Sequence, residues 1–358
     1  MNRPMLWVIV ALYGGVWIAC VNVPPITAQT PSVDELRQTI ASIPKADPFH
    51  PREFQPNVDG KWIGNAVSYG PFRAGQAPGI RGPSEAEILE DLNIITQHWN
   101  LIRIYGADDD SERILEVIRK NDLPLKVMLG IWLTTENDNP LYQQQNLAQV
   151  ARGIALANQF KDIVIAVNAG NETQVFWSGH RLAQKTLIQY IRAVRWYVSQ
   201  PVTTADDYNF WNKPESQTVA DEIDFIVMHA YALWNGQRLA NAISWTDSVY
   251  HDIQARHPNK VIVLGETGWA TDYNASKIGE GQQGTLIKGE VSLARQEQFL
   301  RDLTQWIEGN QITTFWFEVF DEPWKGGGDS SPANEVEKHW GLFYVDRTPK
   351  PSVVHFLK

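Results

Sequence analysis

Two glutamates stand where a long apolar run gives way to a turn. Glu172 ends the run DIVIAVNAGNE (162–172), and Glu266 sits between Gly265 and Thr267 in KVIVLGETGW (260–269). A carboxyl group at the end of a buried run is costly unless it has partners or a task. Two of them on different elements can face each other across a cleft, which is what splitting a glycosidic bond requires. One acid must hold a proton near neutral pH and donate it to the leaving oxygen. The other must be ionised, to attack or to support attack at the anomeric carbon. Asn171, directly before Glu172, is placed to hydrogen-bond a sugar 2-hydroxyl.

The elements that must position these acids alternate along the chain. Eight β-rich runs read as strands: 61–70, 100–106, 124–133, 162–172, 201–206, 224–231, 260–269 and 313–322. Amphipathic stretches at 83–99, 111–121, 146–160, 185–198, 239–256 and 290–309 read as the helices between them, with Pro83 and Ser111 as start signals and Gly309 as a stop. Only the interval around 207–222 lacks a clear helix. Strands alternating with helices imply a parallel sheet, and eight such units predict an α/β fold, a single-domain (β/α)8 TIM barrel. In that architecture the active site lies at the C-terminal ends of the strands. Those ends carry Tyr105, Asn171 and Glu172, His229 and Tyr231, Glu266, and then Glu318, Asp321 and Glu322. The acidic run Asp108–Asp110 reads as a helix start, with Ser111 as its cap.

Composition narrows the partner. The chain has 358 residues, 43% of them hydrophobic, and a formal charge of −10 without any basic run, which argues against nucleic acid and anionic membrane surfaces. Its 15 tryptophans suit sugars, whose apolar faces are edged by hydroxyls. Trp132, Trp177, Trp211, Trp234, Trp269, Trp316 and Trp324 lie near strand ends, and Trp269 is the leading candidate for a stacking platform. No second His or Cys stands at ligand spacing from His229, so it reads as a hydrogen-bonding subsite residue; no metal and no cofactor is expected. A single cysteine excludes an internal disulfide framework.

The N-terminus reads as a separate segment. Residues 1–28 open with one Arg and run uncharged from Met5 to Val23, the pattern of a signal peptide or membrane anchor, with Cys20 where a lipoprotein signal would place its lipidated residue. The expectation is an exported protein, periplasmic or extracellular, touching a membrane only through this segment. A Pro-containing linker over 29–58 and a catalytic domain over 59–358 follow, with a monomer expected.

Four motifs carry a family resemblance: NAGNET (168–173), GETGWA (265–270), FEVFDEPWK (317–325) and EKHWGLF (337–343). They resemble those of glycoside hydrolase family 17, the β-1,3-glucanases and β-1,3-glucanosyltransferases, in a bacterial form, over the chain from about Ile63 onward. The resemblance implies a retaining mechanism, with Glu172 as acid/base and Glu266 as nucleophile. It also implies that Tyr105, Glu322, Lys325 and Glu337 line the catalytic subsite. An ionised acid at an apolar strand end needs partners, and Lys325 and Tyr231 are expected to supply them to Glu266. Val227, Ala230 and Ala270 depart from the family pattern, where Asn, Pro and Pro are common. Three activities are then open: hydrolysis of β-1,3-glucan, transfer of the glycosyl group to a second glucan through the same intermediate, and non-catalytic glucan binding, which would be expected to lose one carboxylate.

Overall fold

The structure is a computed structural model and describes residues 30–45, 50–277 and 283–354. Eight parallel strands close into a barrel in chain order: β1 (Asn65–Ser68), β2 (Leu101–Ile104), β3 (Lys126–Ile131), β4 (Val164–Asn171), β5 (Val202–Asp207), β6 (Ile226–His229), β7 (Ile262–Thr267) and β8 (Thr314–Trp316). Closure is made by β8 against β1, with Thr314 opposite Asn65 and Trp316 opposite Val67. The sequence reading of fold and strand order therefore stands.

Strand alternation sorts the side chains into two cores. Inside the barrel each strand contributes one buried residue to a single cluster: Ala66, Leu101, Met128, Ala166, Ala205, Val227, Val263 and Phe315. Ala166 beside Met128 and Ala66 beside Phe315 set small against large within this buried layer, the way a barrel interior is filled. The outward faces, including Ile102, Ile104, Val127, Leu129 and Val167, pack against the helices in a second, larger core.

The helices hold their places by local signals. Ser84 and Glu87 form a reciprocal capping box that starts Glu85–Ile95. Asp108, not Ser111, caps Asp109–Lys120: its side chain accepts the Ser111 N–H, so the first acid of that run is the cap and the next two supply the favourable charge of the first turn. Gly309 lies inside Leu293–Asn310, and the stop is Gln311, which adopts a left-handed conformation at φ 50°. The interval without a clear helix holds two short ones, Tyr208–Trp211 and Ser216–Ala220. Beyond Trp316 the strand predicted to reach residue 322 leaves the sheet, and the irregular segment that follows carries Glu318 and Glu322.

The span read as a linker contains packed structure. Helix Val33–Thr39 buries Leu36 in the outer core, because its apolar face finds the helix Pro140–Gln159. Arg52 then ties the chain to the base of the barrel, its N–H donating to Asp224 Oδ1 at 2.7 Å and its guanidinium to the carbonyls of Arg195 and Gln200. Phe54 stacks on Phe225 at 4.4 Å and plugs the bottom of the interior. The N-terminal segment 1–28, with Cys20, lies outside the described residues. Among the described residues no helix is long and apolar enough to cross a membrane.

Candidate active site

Glu172 and Glu266 meet at the C-terminal mouth of the barrel. They reach it from β4 and β7 by different routes. β4 bends at its end: Gly170 has φ 89° and Glu172 itself φ 50°, and the ladder to β5 shifts register between Asn168 and Asn171. A left-handed conformation costs a non-glycine residue about 1 kcal/mol, and here it swings the Glu172 side chain into the cleft. On β7 the glycine of the Gly-Glu pair makes room. A Cβ on Gly265 would meet Val227 Cγ1 at 2.2 Å and approach the Arg103 guanidinium at 3.4 Å.

Arg103 is the organising cation of the site. It comes from β2, is fully buried, and donates from Nη1 to Glu266 Oε1 (2.9 Å), to the Gly265 carbonyl (2.9 Å) and to His229 Nε2 (3.1 Å), and from Nη2 to Asn171 Oδ1 (2.6 Å). Tyr105 Oη donates to Glu266 Oε1 at 2.9 Å and Tyr231 Oη to Oε2 at 2.7 Å. Burial would raise the Glu266 carboxyl, but the charge His229 carries in the acid range where the two titrate, the Arg103 guanidinium and the two tyrosine hydroxyls outweigh it and hold the acid below its ordinary range. Burial, and then the charge of Glu266, push both tyrosines up, so they remain donors.

Glu172 has the opposite surroundings. Its carboxyl is pushed well up, first by burial and then by the negative charge of Glu266. His229 joins the two acids, with Nδ1 2.8 Å from Glu172 Oε1 and Nε2 3.4 Å from Glu266 Oε1. Burial pushes the ring down to about 4, so it is neutral at neutral pH. Arg103 can only donate, which makes Nε2 the acceptor and places the ring proton on Nδ1, facing Glu172 Oε1. The proton of Glu172 then belongs on Oε2. One acid is thus held ionised and the other protonated, with one oxygen of each and a His229 nitrogen lying within 4.8 Å of one another.

That trio has the outline of a cation site, yet its chemistry does not suit a metal. Both ring nitrogens of His229 are engaged, and the Arg103 guanidinium already supplies the positive charge beside Glu266.

The remaining expected site residues divide. Asn171 presents its oxygen to Arg103, which leaves its amide N–H groups available to a ligand. His229 is fully buried behind the acids, so it positions them and does not form a subsite wall. Lys325 does not reach Glu266. It pairs with Glu318 Oε2 at 2.6 Å and Glu322 Oε2 at 2.8 Å, because these two acids surround it on its own irregular segment. Glu337 is half-buried, and its carboxyl is pushed up to about 7 by burial and by Glu335 and Glu266.

Trp269 is not a platform. It is buried against Phe299, its ring N–H donating to the Glu290 carbonyl, because the turn after Glu266 points it back toward the helix Leu293–Asn310. Trp211 and Trp316 are buried as well, and Trp234 and Trp324 are half-buried. The exposed aromatic rings at the mouth are Trp132, Phe176 and Trp177, on the loops after β3 and β4. Arg103 was absent from the expected set. A lone arginine inside the apolar run NLIRIYG is itself a signal, since a buried guanidinium demands a carboxylate.

The BtgE/BtgC glycoside hydrolase domain family matches residues 66–341. The putative glucan endo-1,3-beta-glucosidase btgC of Aspergillus niger is 30% identical over 288 residues, covering 76% of this chain and 40% of that protein. The glucan endo-1,3-beta-glucosidase btgC of Emericella nidulans is 28% identical over 288 residues, with 76% and 42% covered. The chain thus spans about two fifths of the length of these relatives. Among solved structures, an endo-laminarinase from Formosa Hel1_33_131 superposes with a TM-score of 0.69 at 23% identity, covering 82% of this chain and 88% of that one. The glycoside hydrolase family 17 beta-1,3-glucanosyltransferase from Rhizomucor miehei follows at 0.62 and 23% identity, covering 80% and 96%. At such identities the likeness speaks to the fold.

Proposed function

The chain belongs to the BtgE/BtgC glycoside hydrolase domain family, and from that premise we propose that it cleaves β-1,3-glucosidic bonds in β-glucan with retention of configuration. The observation that carries the reading is the pair of oppositely tuned acids, an ionised Glu266 and a protonated Glu172, with carboxylate oxygens within 4.8 Å of each other. A separation of about 5–5.5 Å between carboxyl groups leaves room for direct attack on the sugar, whereas an inverting enzyme needs about 6.5–9.5 Å to hold a water between them.

The steps follow from the geometry. Glu266, oriented by Arg103 and the two tyrosines, attacks the anomeric carbon while Glu172 protonates the leaving oxygen from Oε2. The covalent bond to Glu266 removes its negative charge, so the Glu172 carboxyl becomes more acidic and serves as base for the incoming hydroxyl. Water as that acceptor gives hydrolysis; a second glucan gives transfer. The names of the two relatives above, a putative glucan endo-1,3-beta-glucosidase and a glucan endo-1,3-beta-glucosidase, favour hydrolysis. The apolar, nearly uncharged residues 1–28 support export ahead of this reaction.

Incubation with laminarin tests the reading. Shorter oligomers whose first-formed reducing ends are β by proton NMR are expected. Products longer than the donor would replace hydrolysis by transfer, and α-anomers would overturn retention.

A further inference from the structure

Glu172 sits on a left-handed turn whose backbone N–H groups need acceptors. Thr173 and Val175 are buried beneath it, Val175 in the outer core, while Phe176 and Trp177 turn outward, 73% and 52% exposed, so packing anchors one side of the turn only. Several hydrogen bonds brace the turn only to its own loop: Leu182 N–H to the Thr173 carbonyl, the Gln174 amide to the carbonyls of Thr173 and Leu182, and His180 Nε2 to the Asn171 carbonyl. From the barrel, the Ala205 carbonyl accepts the Glu172 N–H at 2.8 Å. Thr204 Oγ1, also on β5, donates to the Gly170 carbonyl at 3.4 Å, and a further barrel-side hold is a carboxyl side chain. Asp206, on β5 and 1% exposed, accepts the Gln174 N–H on Oδ2 at 2.8 Å and the Val175 N–H on Oδ1 at 3.1 Å. Its Oδ1 also accepts the Asp207 N–H at 2.9 Å, which fixes the carboxylate itself.

We propose that Asp206 is the positioning residue of the acid/base: by clamping the backbone N–H groups of Gln174 and Val175 to β5, it holds the left-handed turn that aims Glu172 at the leaving oxygen. The proposal rests on the glycosidase reading above. Three N–H donors converge on one buried carboxyl group, and each needs an acceptor that water cannot supply there. Burial and then the charge of Glu172 push that carboxyl up to about 8, while the N–H bonds favour its ionised form. An asparagine of the same shape would turn an N–H group toward one of those donors, so the turn would have to shift. Asp206 touches neither substrate nor the reacting atoms; it acts through Glu172.

Leaving-group dependence separates this role from a general structural one. A glucan bond needs protonation to break, whereas a 2,4-dinitrophenyl group leaves without it. Asp206→Asn and Glu172→Ala should therefore share a signature. Laminari-oligosaccharide turnover should fall about 100-fold in the Asn variant, the scale set by a misplacement of about 1 Å. The burst of dinitrophenolate from a dinitrophenyl β-laminaribioside should stay near the wild-type rate, and azide should speed the steady state that follows. Equal losses on both substrates, or no loss on either, would overturn the proposal. If the Asn variant does not fold, Asp206→Glu, which keeps the carboxylate but displaces it by one methylene, should show the same unequal loss, and an equal loss there would overturn the proposal as well. Wild-type protein inactive on both substrates would instead refute the glycosidase reading itself.

Discussion

Asp91 and Glu266 are both buried carboxylates bonded to arginine, yet their surroundings differ in kind. Asp91 lies outside the barrel, on the helix Glu85–Ile95. Its four contacts fill both oxygens: Arg73 at 2.7 Å and Arg347 Nε at 2.8 Å on Oδ1, with Arg347 Nη2 at 2.8 Å and Tyr69 Oη at 3.1 Å on Oδ2. Two cations thus reach this acid, Arg347 buried with it and Arg73 shared with the exposed Glu90. Around Glu266 the ratio reverses. Arg103 and Lys325 face Glu172, Glu266, Glu318, Glu322 and Glu337, and the Oε1 atoms of Glu318 and Glu322 have no donor. Burial, and then the charge of Glu322, push the Glu318 carboxyl well up, so the acid surplus is relieved by binding protons. A saturated cluster can only hold the fold together. One with too many acids stores protons at defined atoms, which is what acid/base chemistry uses.

The largest expected effect breaks the catalytic side of this comparison. Glu266→Ala should lower kcat/KM by about 10⁴-fold or more. Azide should restore turnover of an activated β-glucoside with inverted product stereochemistry, and retained stereochemistry on rescue would remove Glu266 from the nucleophile role. Asp91→Ala is the counterpart. It leaves the buried guanidinium of Arg347 without its acid, while Arg73 keeps Glu90, and breaking such a buried pair costs about 3–5 kcal/mol. Urea unfolding should show this loss, while the folded fraction keeps its turnover. A smaller but more diagnostic change is Arg103→Met. Without the guanidinium the Glu266 carboxyl loses a main opposing charge, so its pKa rises, and the acid limb of kcat/KM should move to higher pH by about one unit or more. An unmoved limb would mean that another group keeps Glu266 ionised.

The smallest effect is on stability against pH. Glu337 titrates at about 7 in the folded protein, above the ordinary glutamate value near 4.3 that applies when unfolded. Between these values the unfolded chain has already released a proton that the folded one retains, so raising the pH costs stability. Replacing Glu337 by Gln should therefore raise Tm more at pH 8 than at pH 5. A pH-independent change would show that its carboxyl is not held up by burial.

Much of this arrangement could be read from the chain, and the misses share a cause. The barrel was legible because most strand runs are largely apolar and all but one of the intervals between them carry a helix-period stretch. Glu172 and Glu266 were legible because an acid ending such a run has few structural uses. What the sequence does not order is distance across the barrel. Arg103 lies 163 positions from Glu266, and Asp206 lies 31 and 32 from the N–H groups it clamps, so neither pairing has a local pattern. Lys325 and Trp269 failed the other way. Their nearness in sequence to the catalytic motifs suggested contact with the site, but Lys325 is claimed by the acids of its own segment and Trp269 turns away from the cleft. The Pro-containing span before the domain carried too little periodicity to reveal helix Val33–Thr39, whose single buried leucine is enough to dock it.

The central claim is that two acids of opposite protonation share one cleft, with Glu266 forming the bond to sugar. Trapping tests it most directly. A 2-deoxy-2-fluoro-β-laminaribiosyl fluoride slows release of the glycosyl-enzyme, and mass spectrometry of the intact protein and its peptides locates the adduct. The account predicts one disaccharide per chain, on the peptide carrying Glu266, absent in Glu266→Ala. An adduct on the peptide carrying Glu172, or turnover with inversion and no adduct, would contradict it.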